Sequence, residues 1–333
     1  LKKAFSVFNV GDTVNWFESR GVKLKTEPDN RMFPVTNNSQ TIIDCLVREA
    51  GRTGIKVKLN SFIKSINQAE DGFRLRFEDG SEIYVNKVIV ATGGSSKKEG
   101  FGWLAELNHT IEAPVPSLFT FNVPNNPATE LMGVSVENAT VKIQSTKLKQ
   151  DGPLLITHWG LSGPAVLKLS SWGARILNEM NYHFKVNISW NGGMNEQELR
   201  TEIAKEFHNI KRKKISNAKP IDIPSRLWLF LIHKCRINPQ LNWADVSKEN
   251  LNRLINALTN DEYEVKGKTT FKEEFVTCGG VSLQNINFST MESNVCRGMY
   301  FAGEVLDIDA ITGGFNFQAA WTTGFIAGKL MSQ

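Results

Sequence analysis

Between residues 9 and 20 apolar side chains recur at helical spacing. Val10, Val14 and Phe17 share one face, and Asn9 stands where a helix cap belongs. A second helix is predicted after Asn38 or Ser39, with Ile42, Ile43, Leu46, Val47 and Ala50 on one side and its end near Gly51 to Gly54. The period then falls to two. Ile55 to Leu59, Ser61 to Asn67 and Phe73 to Phe77 alternate, and Glu78-Asp79-Gly80-Ser81 reads as a turn. Tyr84 to Ala91 ends in the unbroken run Val88-Ile89-Val90-Ala91, the pattern of a strand buried on both faces within a parallel sheet. Residues 115 to 190 carry Pro, Val, Thr and short alternating runs and predict a β-rich stretch. Helices are predicted over Glu196 to His208, Pro224 to Lys234 and Ser247 to Leu258. Strand and glycine signals return from Phe271, and a helix closes the chain from about Gln318 to Met331.

Composition narrows the class. Of 333 residues 41% are hydrophobic and 22% charged, as in an ordinary globular protein with chain for about two domains. The longest strongly apolar run, Leu227 to Ile232, is far short of the roughly 20 residues a membrane helix needs, so no membrane partner is expected. Lys and Arg number 39 against 34 Asp and Glu, a net charge of +5. That permits an anionic ligand but is too weak to argue for nucleic acid, and none is expected as a partner. Lys211-Arg212-Lys213-Lys214 resembles a nucleic-acid patch or nuclear signal but reads rather as a solvated helix end. Cys45, Cys235, Cys278 and Cys296 form no C-x-x-C pair and no His stands at zinc spacing, so no metal site is expected. Scattered thiols and the lack of a visible signal peptide suit a cytoplasmic protein. Residue 1 is Leu, which reads as a processed chain or a fragment. The oligomeric state stays open.

Three stretches carry candidate chemistry. In Val88 to Ser96, a strand delivers the backbone to Thr92-Gly93-Gly94. Ligands of open α/β sheets sit at such strand ends and glycines let the main chain approach them; a plain glycine turn is the alternative. In Gly298 to Asp307, Met299 to Ala302 reads as a short buried strand followed by Gly303 and Glu304. That carboxylate grips a polyol hydroxyl or simply sits in a surface loop. In Ile311 to Gly324, Thr312-Gly313-Gly314 leads into a helix starting near Asn316. A helix start offers unpaired N–H groups and a positive dipole end, suited to an anion or an electron-rich carbonyl and ring nitrogen; packing alone is the alternative. Arg31 reads as a carboxylate or phosphate holder or a loop ion pair. His158, in the glycine-rich loop Thr157 to Gly163, reads as a proton donor or a structural residue. Cys278 lacks the basic neighbour or partner Cys that a redox thiol needs.

Together these stretches resemble a known family. VIVATGG, followed far downstream by YFAGEVLD and TGGFN, is similar to the bacterial two-dinucleotide-type flavoproteins known as NAD(P)/FAD-dependent oxidoreductases, the BaiN/YhiN or aminoacetone oxidase-like group. NRMFP (Asn30 to Pro34), PSLFTF, LITHWGLSGP, VTCGGVSL and STMES match in the same order along most of the chain. The resemblance implies an α/β fold with a Rossmann-like FAD-binding domain and a small-molecule substrate. It places Ala91, Thr92, Gly93 and Gly94 near the FAD diphosphate and ribityl chain, and Gly303 and Glu304 at the second FAD motif. Thr312, Gly313, Gly314, Phe315 and Asn316 would face the isoalloxazine, with Asp307 a further cofactor contact. NAD(P)H as electron donor is implied by the family alone, and oxygen serves equally as acceptor.

The expected domains are 1–117 with 274–333 for FAD, a β-rich insert at 118–193 and its helical part at 194–273. The chain departs from the family at Asn30, where Gly is usual, in the charged loop Lys97-Lys98-Glu99, and at Ala310, where Gly is expected. No G-x-G-x-x-G lies in residues 1–60, so the FAD domain is expected to be N-terminally incomplete, its first βαβ unit missing, and FAD binding weak or absent. The competing expectation is a non-catalytic fragment that binds a partner without flavin.

Overall fold

The computed structural model describes residues 1–333 except 29, 270–275, 312–313 and 332–333. The chain divides into two compact units, Leu1–Val115 with Thr277–Gln333, and Pro116–Val276.

In the first unit the helix Val10–Glu18 begins as the pattern predicts. Asn9 accepts the N–H groups of Gly11 and Asp12, while Asp12 accepts that of Asn9 in return. The helix Gln40–Arg52 starts beside Asn38, whose Oδ1 accepts the Gln40 N–H at 2.9 Å. A meander follows, Ile63–Ala69, Gly72–Phe77 and Glu82–Val85, all antiparallel. Residues 55–60 form no strand, although they alternate, and all are exposed. Alternation without a hydrogen-bonding neighbour does not make a strand. A second sheet runs in the order Ile286–Asn287, Glu292–Ser293, Met299–Phe301, Val88–Val90. Val88–Val90 is its end strand, so Ile89 is 37% exposed and the run is not buried on both faces. Phe73, Leu104, Met299, Phe301 and Val305 form the core beside it.

The helix Phe315–Met331 is tied to the N-terminal segment through its own buried polar residues. Thr13 donates to Gln318, Gln318 to Thr322, and Thr322 to the Phe8 carbonyl at 2.7 Å.

The second unit is built on a seven-stranded sheet in which every recorded pairing is antiparallel. Its order is Asp261–Lys266, His183–Ser189, Ser135–Ile143, Lys149–Ile156, Gly160–Ser162, Thr120–Asn122, Lys268–Thr269. Burial alternates strictly along Asp261–Lys266, as a strand with one wet face requires. The helices Glu196–Ile210, Ser225–Lys234 and Lys248–Thr259 form where the helical period predicts them. Two more, Pro164–Trp172 and Ala174–Glu179, interrupt the stretch read as β-rich. Proline at the first helical position marks that start. The core is one cluster centred on Trp190, Trp228, Leu154, Ile143 and Leu254.

No described helix is long and apolar enough to cross a membrane.

Candidate functional site

Val88–Val90 and Met299–Phe301 run parallel and in step, Val90 opposite Phe301. The pairing extends one residue further, with the Ala302 N–H donating to the Val90 carbonyl at 3.0 Å. Ala91-Thr92-Gly93-Gly94 and Ala302-Gly303-Glu304 therefore leave the sheet side by side, at its carboxyl edge.

The two segments touch. A Cβ on Gly94 would stand 2.5 Å from Thr277 Oγ1 and 2.9 Å from Glu304 Oε1. Only glycine leaves room for that carboxylate. Glu304 Oε1 accepts the Thr277 N–H at 2.8 Å. Its other oxygen makes no hydrogen bond among the described residues and is not sealed off. Burial pushes the Glu304 carboxyl up, the Thr277 N–H holds it down, and the Asp309 carboxylate pushes it up again. The net direction is above the ordinary carboxylate range.

Gly303 has φ +76°, a conformation that favours glycine. Its N–H donates to Thr323 Oγ1 at 2.9 Å, and Ala320 lies in van der Waals reach. The second strand end is thereby locked to Phe315–Met331. At the start of that helix the Gly314 carbonyl accepts the Gln318 N–H. The Asn316 amide nitrogen donates to the Ala310 carbonyl at 3.3 Å. That bond fixes the amide orientation and leaves Oδ1 as the acceptor. Asn316 Oδ1 is buried and has no partner.

Gly94 thus lies against Glu304, the Asp309 charge acts on Glu304, and the neighbouring Ala310 is hydrogen-bonded to Asn316. Two strand ends distant in sequence, at Gly94 and Glu304, come together, and the segment that follows Glu304 leads to Asn316. The arrangement offers glycine backbone, one uncommitted carboxylate oxygen, one unsatisfied amide oxygen and a helix start. It can accept hydrogen bonds from hydroxyl and ring N–H groups and favours negative charge at the helix end.

The other sequence-derived residues fall as follows. Ala91 and Thr92 are exposed on the first strand end, and Gly93 has φ +76°. Phe315 packs edge-on against Phe5 with centroids 5.6 Å apart. The Asp307 N–H donates to Val281. Thr312 and Gly313 lie outside the described residues. Arg31 belongs to the ribbon Leu24–Thr26 and Met32–Pro34, where its guanidinium lies 5.4 Å from the Phe33 ring centroid. A cleft of about 320 Å³ there is lined by Glu27, Arg31, Phe33 and Asn37. Asn30 has φ +65°, so its place is one that glycine or Asn fills best. His158 is in the second unit, exposed, its ring centroid 4.2 Å from that of Trp159. All four cysteines are buried, and none forms a disulfide among the described residues.

Thr277, Thr323 and Asp309 were not singled out from sequence. Only Thr277 carries a signal, its place beside Gly279-Gly280, where added Cβ atoms would meet the Ala113 and Val305 carbonyl oxygens. No cluster of metal-ligating side chains occurs among the described residues.

Parallel strand ends that carry glycine to the start of a long helix define a Rossmann-type architecture. The family pattern described as "HI0933-like protein Rossmann domain" matches residues 1–330, and the chain belongs to that family. It is 24% identical over 334 residues to the 3-dehydro-bile acid delta(4,6)-reductase of Clostridium scindens, covering 98% of this chain and 81% of that protein. It is 28% identical over 335 residues to the ribosomal RNA dihydrouridine synthase of Escherichia coli, covering 97% and 80%. The protein of that name from Haemophilus influenzae is 24% identical over 344 residues, covering 100% and 82%.

Proposed function

We propose that this chain is an FAD-dependent oxidoreductase that reduces a carbon–carbon double bond conjugated to a carbonyl in a small molecule. The observation that carries the flavin half is the close approach of Gly94 and Glu304 at two parallel strand ends, with one Glu304 oxygen and Asn316 Oδ1 left uncommitted among the described residues. FAD matches that donor demand. Its ribityl hydroxyls suit the second oxygen of Glu304, and the imide N–H of its ring suits Asn316 Oδ1. The glycines at 93, 94 and 303 leave the backbone open beside the diphosphate and ribityl, and Gly314 with Phe315 opens the helix toward the ring. Positive potential at that helix start favours negative charge on the ring edge.

The substrate half rests on the relatives' names. Dihydrouridine is uridine with the double bond beside a ring carbonyl saturated. A 3-dehydro steroid with delta(4,6) unsaturation places its alkenes in conjugation with a ketone. When bound, FAD supplies the hydride; the protein supplies position and electrostatics. Arg31, in the same unit as Gly94 and Glu304, is the candidate anion holder, and His158, exposed on the second unit, is given no step in this proposal.

The purified chain is equilibrated with FAD and the visible spectrum followed by dialysis. Because residues 1–60 carry no G-x-G-x-x-G to hold the diphosphate, weak but saturable binding is expected, weakened roughly tenfold further in Glu304→Gln and abolished in Gly94→Val. Chemically reduced, flavin-loaded protein should then be reoxidised without air by an α,β-unsaturated ketone and not by its saturated analogue. A colourless protein that cannot be reconstituted sinks the flavin half. Flavin binding with oxidation only by uridine in RNA replaces the substrate half.

A further inference from the structure

A different feature lies wholly within Pro116–Val276 and goes beyond the flavin reading. Lys268 is on the end strand Lys268–Thr269, opposite Phe121. Its ammonium stands 4.8 Å from the Tyr182 ring centroid and 5.9 Å from that of Phe119. The two rings meet at 90° with centroids 5.4 Å apart, forming an aromatic corner. The Tyr182 hydroxyl is spent on Asn178 Oδ1 at 2.9 Å, so the ring offers Lys268 its face alone.

The corner is held in a costly backbone conformation. Leu118 has φ +56° and Tyr182 φ +57°, values that bulky residues rarely adopt. The Gly267 N–H donates to the Tyr182 carbonyl at 2.8 Å and locks the strand to it.

Lys234 shows what a lysine on a ring needs. It lies 4.6 Å from the Tyr263 centroid and also reaches Asp261 Oδ1 at 2.5 Å. Ring faces stabilise the charge, and the carboxylate accepts the N–H groups. Lys268 has the ring platform without the carboxylate. Its ammonium is partly buried, and no hydrogen bond or ion pair to it occurs among the described residues. Its three donors lie against two rings with no described protein acceptor, which leaves room for a ligand to supply one. Burial also pushes the Lys268 amine below its ordinary range, a drift that a bound anion would reverse.

We propose that Lys268 and the Phe119–Tyr182 corner form a binding site for an anionic oxygen group, a carboxylate or a phosphate. The bound group takes the place that Asp261 fills for Lys234. The cation–ring contacts hold the ammonium in position, and the ligand oxygens accept its N–H groups.

The test uses the full chain with lysine side chains labelled with ¹³C. The Lys268 signal is identified by its loss in Lys268→Met and is expected upfield of the other lysines, shielded by the two rings. Acetate and inorganic phosphate are titrated separately at constant ionic strength, with chloride as control. A saturable shift confined to Lys268 is expected with at least one of them. Acetate alone identifies a carboxylate ligand, and phosphate alone a phosphate. The gain in melting temperature from that anion should need roughly tenfold more anion or more in Lys268→Met and stay within about threefold in Lys268→Arg. A Lys268 signal that moves no more than the other lysines, or equally with chloride, overturns the site. Should Lys268→Met not fold, Lys268→Arg supplies the assignment and the wild-type titration decides alone.

Discussion

The two compact units carry different surfaces. Leu1–Val115 with Thr277–Gln333 has 18 Lys and Arg against 18 Asp and Glu, while Pro116–Val276 has 21 against 16. The whole net charge of +5 therefore belongs to the second unit. Exposed large apolar side chains divide the other way. Nineteen are in the first unit and five in the second among the described residues. The second unit hides its apolar residues in one continuous core under a wide antiparallel sheet. The first leaves Ile55, Val57, Leu59 and Ile89 open and has short strands. The candidate site lies in this first unit, at its strand ends and helix start.

Three experiments bear on this contrast, from the largest effect to the smallest. Trp228→Ala should destabilise the second unit by about 3–5 kcal/mol. Trp228 is fully buried, stacks on Trp243 and donates to the Ile215 carbonyl at 2.7 Å. A drop in urea midpoint too small for that cost would mean the core is not the continuous mass it looks.

Gly303→Ala should cost the first unit about 1–2 kcal/mol, because an L-residue at φ +76° is strained. The space itself is available, since a Cβ there meets nothing nearer than Ala320 at 3.6 Å. Thermal melting checks the cost. A neutral result would mean the strand end relaxes, and the lock to Thr323 would then carry no weight.

The third effect is graded with pH. His109 is buried in the first unit, its Nδ1 on the Leu104 carbonyl and its Nε2 on Ser293 Oγ at 2.8 Å. Burial pushes its pKa below the ordinary histidine range, against a smaller upward pull from Leu104. The unfolded chain therefore takes up a proton near pH 6.5, where the folded chain does not. His109's contribution is complete above that pH and is lost as pH falls toward the lower folded value. The slope from this residue is at most about 1.4 kcal/mol per pH unit. Urea midpoints measured between neutral and mildly acid pH should show it, and His109→Asn should flatten it. An unchanged slope in that variant would assign the dependence to other groups.

Much of the architecture was legible because it is written in short-range patterns. Asn9 with Asp12, and Asn38 ahead of Gln40, announce two helices through hydrogen bonds only two or three residues long. Where the pattern misled, the cause was a missing or unseen neighbour. Ile55 to Leu59 alternates but pairs with nothing described, and Val88–Val90 is continuous but stands at a sheet edge. Pro164–Trp172 was hidden because Gly163-Pro164 reads as a turn in strand-rich surroundings until the helix is seen to start there.

Side-chain periodicity, capping residues and the glycine-bearing motifs in their order determined the class of fold and the family, since each is read from short runs of residues along the chain. Whether Glu304 is a surface acid or the neighbour of Gly94 was decided only in three dimensions. So were the unsatisfied oxygen of Asn316 and the ammonium of Lys268 against its two rings. Each depends on which distant backbone arrives beside it. That arrival is set by parallel strand pairing, buried glycines and cross-strand register, and no local pattern encodes it.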